Sequence, residues 1–308
     1  MTSGVPNVRV AYIAGSSFSG STLLGLILGG APEVFYCGEI NQYRRAAWRS
    51  RPVACTCGSE YGECPVWSRV YADLPHGRDL NPSPGFSRAN LRLLLSILLP
   101  GRRRSSPRKT TEYGAVVEAI RRHAAPVTDE PLWIVDSSKT LEALDALRRS
   151  ANVDLRVIHL VRDGRGVAAS CRKRGRSPLA AMAAWTLVNT ALLLYTRRND
   201  IPCLRVDYRS FCENGDAAVA EIRRFLDLEG AAGDVLPPVR RGSYHLMQGN
   251  REVRKLASGE SEFEGLRYRG DATGLSRPQR VVAGLVIGPL YRFLLSRGEL
   301  AGQKVPVR

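Results

Sequence analysis

The sequence predicts a three-layer α/β/α fold built around a central parallel sheet. Its strand-like runs are apolar on both faces, helical patterns separate them, and no segment repeats. Strands that are apolar on both faces are typical of a parallel sheet covered by helices on both sides, and regular alternation with helices gives three layers. The chain has 308 residues, 44% of them hydrophobic, which is enough for a sizeable core.

The elements follow from these patterns in chain order. The predicted strands are Val8–Ala14, Leu132–Asp136, Leu155–Val161 and Pro202–Val206. The predicted helices are Gly20–Gly30, Ala89–Leu99, Glu112–Ala124, Leu141–Arg149, Gly164–Arg174, Leu179–Asn199, Asp216–Leu228 and Pro278–Ser296. We expect a single domain over residues 1–308, with inserts near 49–85 and 100–110. The first insert is rich in Cys, Pro and Gly, and the second, "PGRRRSSPRK", is basic and expected to be mobile.

The composition indicates an anionic partner. Lys and Arg number 45 against 29 Asp and Glu, which gives a net charge of +16. Nucleic acid is not favoured, because the basic residues are scattered and no stacking aromatic motif accompanies them. The start of the chain lacks the charged and apolar regions of a signal peptide, and the apolar runs Leu91–Leu99 and Val281–Ile287 are too short to span a bilayer. We therefore expect a cytoplasmic protein.

The stretch "GSSFSGSTLL", Gly15 to Leu24, closely matches a phosphate-binding P-loop. It fits G-x-x-x-x-G-K-[ST] except that Ser21 replaces the lysine. A strand, a Gly/Ser loop and a helix present backbone N–H groups and a helix dipole to an anion. The hydroxyls of Ser19, Ser21 and Thr22 add donors. The alternative is a Ser/Gly turn that caps an ordinary helix.

A second anion motif, "VIHLVRDGRGVAASCRKRG", spans Val157 to Gly175. Arg162 follows a predicted strand, where open α/β sheets bind their ligands, and Ser170 lies on the helix that comes next. A guanidinium and a hydroxyl so placed predict a clamp for one phosphate. The alternative is an Arg–Asp surface turn before a helix.

In order along the chain, these segments resemble the sulfotransferases that use 3′-phosphoadenosine 5′-phosphosulfate (PAPS). The resemblance is nearest the branch of tyrosylprotein and many bacterial sulfotransferases, and covers roughly residues 8 to 255. Further matching segments are "CGE" at Cys37–Glu39, "DSSK" at Asp136–Lys139, "VDYRSF" at Val206–Phe211, and "GN" followed by arginines at Gly249–Arg254. The resemblance implies a P-loop NTPase-like sulfotransferase fold.

The resemblance also implies roles for residues. The 5′-phosphosulfate would lie on the loop residues and the 3′-phosphate on Arg162 and Ser170, with product 3′-phosphoadenosine 5′-phosphate and no metal required. The implied cofactor residues are Ser17, Phe18, Ser19, Gly20, Ser21, Thr22, Arg162, Ser170, Tyr208, Asn250, Arg251 and Arg254. The polar stretch that holds the last three is expected to be a loop.

Two residues are the implied catalytic groups. Glu39 is the predicted general base, with His245 as a second candidate; the alternative for Glu39 is a purely structural ion pair. The family carries a cation where this chain has Phe18, and Lys139 is the predicted replacement near the leaving phosphate. The alternative for Lys139 is a solvated residue at a helix start. We expect Trp185 and His159 to be structural.

Four cysteines leave one question open. Cys55, Cys57 and Cys64 lie close together in "ACTCGSEYGECPVW", and with Cys37 they could supply four thiolates for zinc. The C-x-C-x6-C spacing is not that of a standard zinc finger. We therefore assign no metal residue here, and zinc, a disulfide and free thiols all stay open.

The acceptor is not identified by any motif. We expect a hydroxyl on a small molecule, sugar or lipid. The segment 91–109 pairs an apolar run with a basic run, and it is interpreted as a core helix leading into a solvated loop or, alternatively, as a peripheral membrane contact. Rival functions are a kinase-like phosphotransferase, which would need magnesium and a loop lysine, and a non-catalytic nucleotide-binding protein.

Overall fold

Five parallel strands form the sheet of the protein, in the order β2-β3-β1-β4-β5. A computed structural model describes residues 8–42, 54–74, 107–124, 132–228, 244–246, 251–262, 265–266, 268 and 274–296. The strands are β1 (Val8–Ala14), β2 (Val34–Gly38), β3 (Trp133–Asp136), β4 (Val153–Val161) and β5 (Cys203–Asp207). The predicted parallel sheet is confirmed.

Ten α-helices surround the sheet in the described part of the chain. They are α1 (Ser21–Leu28), α2 (Trp67–Ala72), α3 (Pro107–His123), α4 (Leu141–Arg148), α5 (Gly164–Arg172), α6 (Pro178–Arg198), α7 (Tyr208–Glu213), α8 (Gly215–Phe225), α9 (Arg251–Ser258) and α10 (Arg277–Ser296). Short 3₁₀ turns cover Ile40–Gln42 and Tyr61–Glu63.

The buried apolar residues form a separate core on each face of the sheet. On one face, alternate residues of β1 such as Val10 and Tyr12 pack with α2, α3, α4 and α6. On the other face, Ala11 and Ile13 pack with α1, α7, α8 and α9. A third cluster joins α5, α6 and α10 beyond the end of β4. The three-layer arrangement predicted from the apolar runs is therefore confirmed.

The strand order places a crevice at the carboxyl ends of the central strands. The chain passes from β1 to β2 on one side, returns through β3, and continues to β4 on the other side of β1. At such a switch in direction, loops from neighbouring strands diverge and leave room for a ligand. The segments that follow β1, β3 and β4 are the phosphate loop, "DSSK" and the Arg162 turn. All three predicted motifs thus lie at one edge of the sheet.

Several predicted elements differ from the structure. The strand β2, "VFYCG", was missed because its last two residues belong to the "CGE" segment that was assigned to the site. The helices α2 and α7, each of six residues, were also missed. The end of the basic stretch expected to be mobile, from Pro107 onward, is the first turn of α3. Residues 75–106 lie outside the described part of the chain. They include the predicted helix 89–99 and most of the segment 91–109.

The helix α6 is long and apolar enough, by length and composition, to cross a membrane. It was not among the apolar runs weighed in the sequence. Half of its most apolar window is buried inside the protein. Its Asn189 contacts His159 of β4 at 2.8 Å, and its Tyr195 donates to Asp145 of α4 at 2.5 Å. These buried polar contacts make α6 a core helix of the domain.

Candidate active site

The phosphate loop has three residues with positive φ: Gly15, at 153°, Phe18 and Gly20. Phe18 has φ 63° and Gly20 has φ 93°, so the chain turns sharply twice between β1 and α1. A Cβ on Gly20 would lie 2.3 Å from Cε2 of Tyr208, and one on Gly15 would lie 2.6 Å from the Leu160 carbonyl oxygen. The loop is therefore packed tightly between β4 and α7, and both glycines are required there.

The helix α1 leaves its first N–H groups without a side-chain cap. Each of the other α-helices that directly follow a described strand is capped by a side chain, with Thr140, Asp163 and Asp207 accepting from backbone N–H groups. The residue before α1 is Gly20, which offers no such acceptor, and no acidic residue lies in the first turn. Uncapped N–H groups with the positive end of the helix dipole favour an anion at this position.

Hydroxyl groups of the same loop are buried without protein partners. The side-chain oxygens of Ser16 and Ser19 are enclosed and have no hydrogen-bond partner in the described residues. Ser21 and Thr22 are also buried, while Ser17 and Phe18 are partly exposed. A buried hydroxyl without a partner costs free energy, which a bound ligand with acceptor oxygens would recover. The residues present therefore fit a phosphate or sulfate group.

Arg162 contacts this loop from the carboxyl end of β4. Its Nη1 donates to the Phe18 carbonyl oxygen at 2.9 Å, and its guanidinium lies 4.9 Å from the centre of the Tyr208 ring. The register of β4 with β5 pairs Val161 with Asp207, which brings the next residues, Arg162 and Tyr208, side by side. Trp185 holds the backbone by donating from Nε1 to the Arg162 carbonyl at 2.8 Å. Trp185 is buried, as predicted for a structural residue.

Ser170 lies two turns into α5, and its hydroxyl donates to the Gly166 carbonyl of its own helix at 2.8 Å. The start of α5 is fixed by Asp163, which accepts from the Arg165 N–H at 2.8 Å and pairs with the Arg165 guanidinium. The motif thus has the predicted order of strand, turn and helix. Ser170 would have to exchange its internal hydrogen bond for one to a ligand.

Glu39 and Lys139, the two predicted catalytic residues, form an ion pair. Nζ of Lys139 lies 3.0 Å from Oε1 of Glu39, and the two side chains are 16% and 12% exposed. Partial burial strengthens the attraction relative to a surface pair. Lys139 has φ 60°, a strained value for a residue with a side chain, and it directly precedes the N-cap of α4. The strain indicates a position fixed by its surroundings rather than a freely solvated lysine.

Asp136 ties together the two segments that carry this pair. Its Oδ1 accepts from the backbone N–H of Ser138 at 2.9 Å, from the Ser138 hydroxyl at 2.6 Å and from the Ile40 N–H at 3.2 Å. Ser137 N–H donates to the Gly38 carbonyl at 2.7 Å. These bonds join "DSSK" to the "CGE" segment, and so fix Glu39 relative to Lys139.

Burial raises the pKa of Asp136 to about 7, more than the hydrogen bonds from Ser138 and Ile40 lower it. A carboxyl with a raised folded-state pKa keeps its proton when the unfolded chain has lost it. Its contribution to stability is therefore complete below about pH 4 and is lost as the pH rises through about 7.

We predict that Asp136→Asn removes this pH dependence. The free energy of unfolding of the wild type should carry a downward term between pH 4 and 7, on the order of 4 kcal/mol in total, that the variant lacks. Urea unfolding at several pH values measures it, with Asp216→Asn at an exposed position as the control. Parallel pH profiles for wild type and Asp136→Asn would contradict the assignment.

Two arginines that the sequence analysis missed supply positive charge at Phe18. The guanidinium carbon of Arg174 lies 4.4 Å from the centre of the Phe18 ring, and that of Arg176 lies 6.0 Å away. An arginine over an aromatic face is held by a cation–π interaction. Both residues follow α5 in the stretch "CRKRGRS", so the available signal was a basic run next to the Arg162 motif. The loop position without its own cation is therefore flanked by cations from elsewhere.

The predicted C-terminal residues are only partly described. Asn250 and the side chain of Arg251 lie outside the described residues. The segment from Arg251 to Ser258 is the helix α9, not a polar loop, and it packs Ala257 against the core. Nη2 of Arg254 donates to the Ala54 carbonyl oxygen at 2.9 Å. Arg254 therefore contacts the cysteine-rich insert.

Two further expectations need correction. His245 was a second candidate base, but its Nδ1 lies 3.3 Å from the Cys64 sulfur, so it belongs to a cysteine cluster. Cys37 was a candidate fourth ligand for that cluster, but its thiol donates to the Val135 carbonyl inside the sheet at 3.0 Å. His159 is structural as expected, because burial lowers its pKa to about 4 and keeps the ring neutral beside Asn189.

Comparison with known proteins gives structural neighbours alone. A scan against protein-family models gave no match, and neither did a search of curated proteins. The chain is similar to the sulfotransferase domain of the Synechococcus PCC 7002 olefin synthase, with TM-score 0.45 and 19% identity over 96% of this chain and 97% of that one. It is also similar to the sulfotransferase domain from the curacin biosynthetic pathway, with TM-score 0.46 and 15% identity over 90% and 97%.

A third similar structure is sulfotransferase STF9 from Mycobacterium avium, with TM-score 0.48 and 13% identity over 98% of this chain and 79% of that one. With identities and TM-scores this low, the function of the chain has to be inferred from its own residues.

Proposed function

We propose that the protein is a sulfotransferase that moves the sulfuryl group of PAPS to a hydroxyl of a small-molecule, sugar or lipid acceptor. One observation carries the proposal: the partly buried Glu39–Lys139 pair lies at the same sheet edge as a phosphate loop that has no lysine. A base beside a cation suits transfer to a hydroxyl, and a loop without lysine suits a donor that needs no magnesium.

The phosphate loop and its neighbours would hold the nucleotide. The uncapped N–H groups of α1 and the buried hydroxyls of Ser16 and Ser19 suit the oxygens of a 5′-phosphosulfate. We propose that Ser17, Phe18, Gly20, Ser21 and Thr22 of the loop also contact the 5′-phosphosulfate. The 3′-phosphate is assigned to Arg162 and Ser170, with Tyr208 beside Arg162. The resemblance adds Asn250, Arg251 and Arg254 to the proposed cofactor residues. The bound donor supplies an electrophilic sulfur on a phosphate leaving group.

The chemistry assigned to the protein is proton removal and charge stabilisation. Glu39 accepts the proton of the acceptor hydroxyl, since a carboxylate held beside Lys139 is available as a base. Lys139 donates a hydrogen bond to negative charge that develops on the leaving phosphate. Its neighbour Asp136, through Ser138 and Ile40, keeps both groups in position.

Arg174 and Arg176 are proposed to complete the positive field. They stack over Phe18 at the loop position where the resembling family carries a cation. Because their charge lies beside the loop rather than on it, the loop can use a phenylalanine without losing the electrostatic stabilisation of the leaving group.

The rival functions receive less support. A magnesium-dependent kinase needs a carboxylate that reaches the metal, but Asp136 is fully buried, its Oδ1 accepts three hydrogen bonds, and its Oδ2 is enclosed in the protein. A non-catalytic binding protein has no use for a strained lysine paired with a glutamate. Calorimetry with the 3′,5′-bisphosphate, together with transfer of ³⁵S from labelled PAPS to a panel of phenols, sugars and lipids, separates the three. Binding without any transfer would favour the non-catalytic alternative.

We predict that Arg162→Ala weakens binding of 3′-phosphoadenosine 5′-phosphate by roughly 10- to 150-fold, because a charge-assisted contact is worth about 1.5–3 kcal/mol. Ser170→Ala should weaken it less, since a neutral hydroxyl contributes about 1 kcal/mol. Calorimetric titration measures both, and Arg198→Ala at the exposed end of α6 is the control. Unchanged affinity in Arg162→Ala and Ser170→Ala would contradict the proposed 3′-phosphate site.

The remaining parts of the proposal concern the whole protein. We propose one domain over residues 1–308, a cytoplasmic location, and no nucleic-acid partner. Contact of the segment 91–109 with a membrane surface stays a hypothesis from its sequence.

A further inference from the structure

Three cysteines and one histidine, none of them a proposed catalytic residue, converge in a partly buried cluster. Cys55, Cys57 and Cys64 come from the insert, and His245 comes from the short segment Tyr244–Leu246. We propose that these four side chains bind one structural zinc ion. The proposal is independent of sulfuryl transfer. The sequence analysis assigned no metal residue, and this proposal replaces that assignment with a zinc site.

The distances between the ligand atoms are those of a tetrahedral site. Sγ of Cys64 lies 3.7 Å from Sγ of Cys55, 3.9 Å from Sγ of Cys57 and 3.3 Å from Nδ1 of His245. Sγ of Cys55 lies 3.9 Å from the same nitrogen, and all four atoms lie within 4.8 Å of one another. Ligands at zinc distances in a tetrahedron are about 3.8 Å apart for two sulfurs and about 3.6 Å for sulfur and nitrogen.

The same distances argue against a disulfide. A disulfide joins two sulfurs at about 2.05 Å, whereas Cys64 Sγ lies 3.7 Å from Cys55 Sγ and 3.9 Å from Cys57 Sγ, and all three thiols are free. Cys64 contacts both of the other thiols, so no single pair is selected. A shared metal ion explains why three thiols and an imidazole meet at one point.

The backbone on the insert side of the cluster is shaped by hydrogen bonds that do not involve the ligands' side chains. Cys55 N–H donates to the Ser59 carbonyl at 2.9 Å, and Gly58 N–H donates back to the Cys55 carbonyl at 3.0 Å. Gly58 has φ 93°, a conformation that favours glycine. The tight turn brings Cys55 and Cys57 to the same side.

The histidine side is positioned by a second set of contacts. Nε1 of Trp67 donates to the His245 carbonyl at 2.6 Å. The Thr56 hydroxyl donates to the Tyr244 carbonyl at 2.6 Å and accepts from the Leu246 N–H at 2.8 Å. His245 is therefore held in place by Thr56, which lies between Cys55 and Cys57, and by Trp67, three residues after Cys64. Such supporting bonds are typical of metal sites, where they orient the ligands.

The donor set identifies the metal. Three thiolates and one imidazole in tetrahedral arrangement are typical of structural zinc, which uses all four positions and leaves none for catalysis. The ion would join the insert to the segment Tyr244–Leu246, which precedes α9 in the chain. Arg254 of α9 also contacts the insert, by donating to Ala54 next to Cys55. Zinc would therefore fix the position at which α9 begins.

The test is metal content of the full-length protein, purified without chelators and measured by plasma mass spectrometry. We expect about one zinc per chain, lost in Cys64→Ser and His245→Ala, and retained in Cys203→Ser, a partly exposed cysteine outside the cluster. Co²⁺ added to the zinc-depleted wild type should give thiolate charge-transfer bands and the strong visible bands of tetrahedral cobalt. That readout depends on neither catalysis nor the stability of a variant.

Three results would overturn the proposal. The first is a wild type that contains no zinc and gives no cobalt spectrum after reduction. The second is a disulfide between any two of Cys55, Cys57 and Cys64 in protein alkylated at isolation. The third is a brown, iron-containing protein, which would assign the cluster to iron and sulfur. Failure of sulfuryl transfer would leave the metal content unaffected, so the two proposals fail separately.

Discussion

Replacing Glu39 by glutamine is expected to lower the turnover of sulfuryl transfer by roughly 10²–10⁴-fold, the usual contribution of a general base. The amide keeps the size of the side chain and can still contact Lys139, which lies 3.0 Å from Oε1 in the wild type. It cannot accept a proton at neutral pH. The measurement is ³⁵S transfer at saturating donor and acceptor, with any acceptor that the hydroxyl panel identifies.

Two controls make the Glu39 result specific. The variant should bind 3′-phosphoadenosine 5′-phosphate with nearly the wild-type affinity, which shows that the nucleotide site is intact. Glu221→Gln removes a carboxylate from the exposed face of α8 and should leave turnover unchanged. A Glu39→Gln enzyme within a few-fold of the wild-type rate would mean that another group, or the substrate itself, removes the proton.

Replacing Lys139 by alanine is expected to reduce turnover by roughly 10²–10³-fold, the range measured when one preorganised donor to a developing negative charge is removed. The effect should be larger than that of changing a single loop residue, because Phe18 brings no cation of its own. Loss of the partner also leaves Glu39 uncompensated in a partly buried position, so thermal stability should fall and must be measured alongside.

A double-mutant cycle tests whether Lys139 and a cation at position 18 act on the same negative charge. Introducing Phe18→Arg into the Lys139→Ala variant should restore part of the activity if the two positions share a role. Strictly additive effects would show that they do not. Arg174→Ala tests whether the arginine over Phe18 contributes to the same field, and it should deepen the loss caused by Lys139→Ala. An unchanged rate in Lys139→Ala would remove the lysine from the mechanism.

Much of the fold was predictable because buried parallel strands carry a strong local signal. The runs at β1, β3, β4 and β5 carry apolar residues on both faces, and their predicted bounds differ from the observed ones by at most two residues. The strand β2, "VFYCG", is also apolar and is longer than β3, and it was missed because its last two residues were assigned to the "CGE" segment of the site. The helix α9 does carry a weak pattern, with Val253, Leu256 and Ala257 on one face, but its many charges favoured a loop.

The sequence predicts which segments form the site, but it does not predict which side chains contact one another there. Motifs that follow strands had to meet at one edge of a parallel sheet, which is why the loop, "DSSK" and Arg162 converge. The partners of each side chain depend on tertiary packing. Nothing near His245 in the sequence indicates three cysteines 181 or more residues away, and nothing in "CRKRGRS" indicates that Arg174 covers Phe18.

Titration of the wild-type protein with 3′-phosphoadenosine 5′-phosphate in magnesium-free buffer tests the central claim most directly. The proposed site predicts binding of about one nucleotide per chain without a divalent ion, and much weaker binding of adenosine 5′-phosphate, because Arg162 and Ser170 then lose the 3′-phosphate. The measurement needs no acceptor. Equal affinity for the two nucleotides, or binding of ATP with magnesium and none of the bisphosphate, would contradict the assignment.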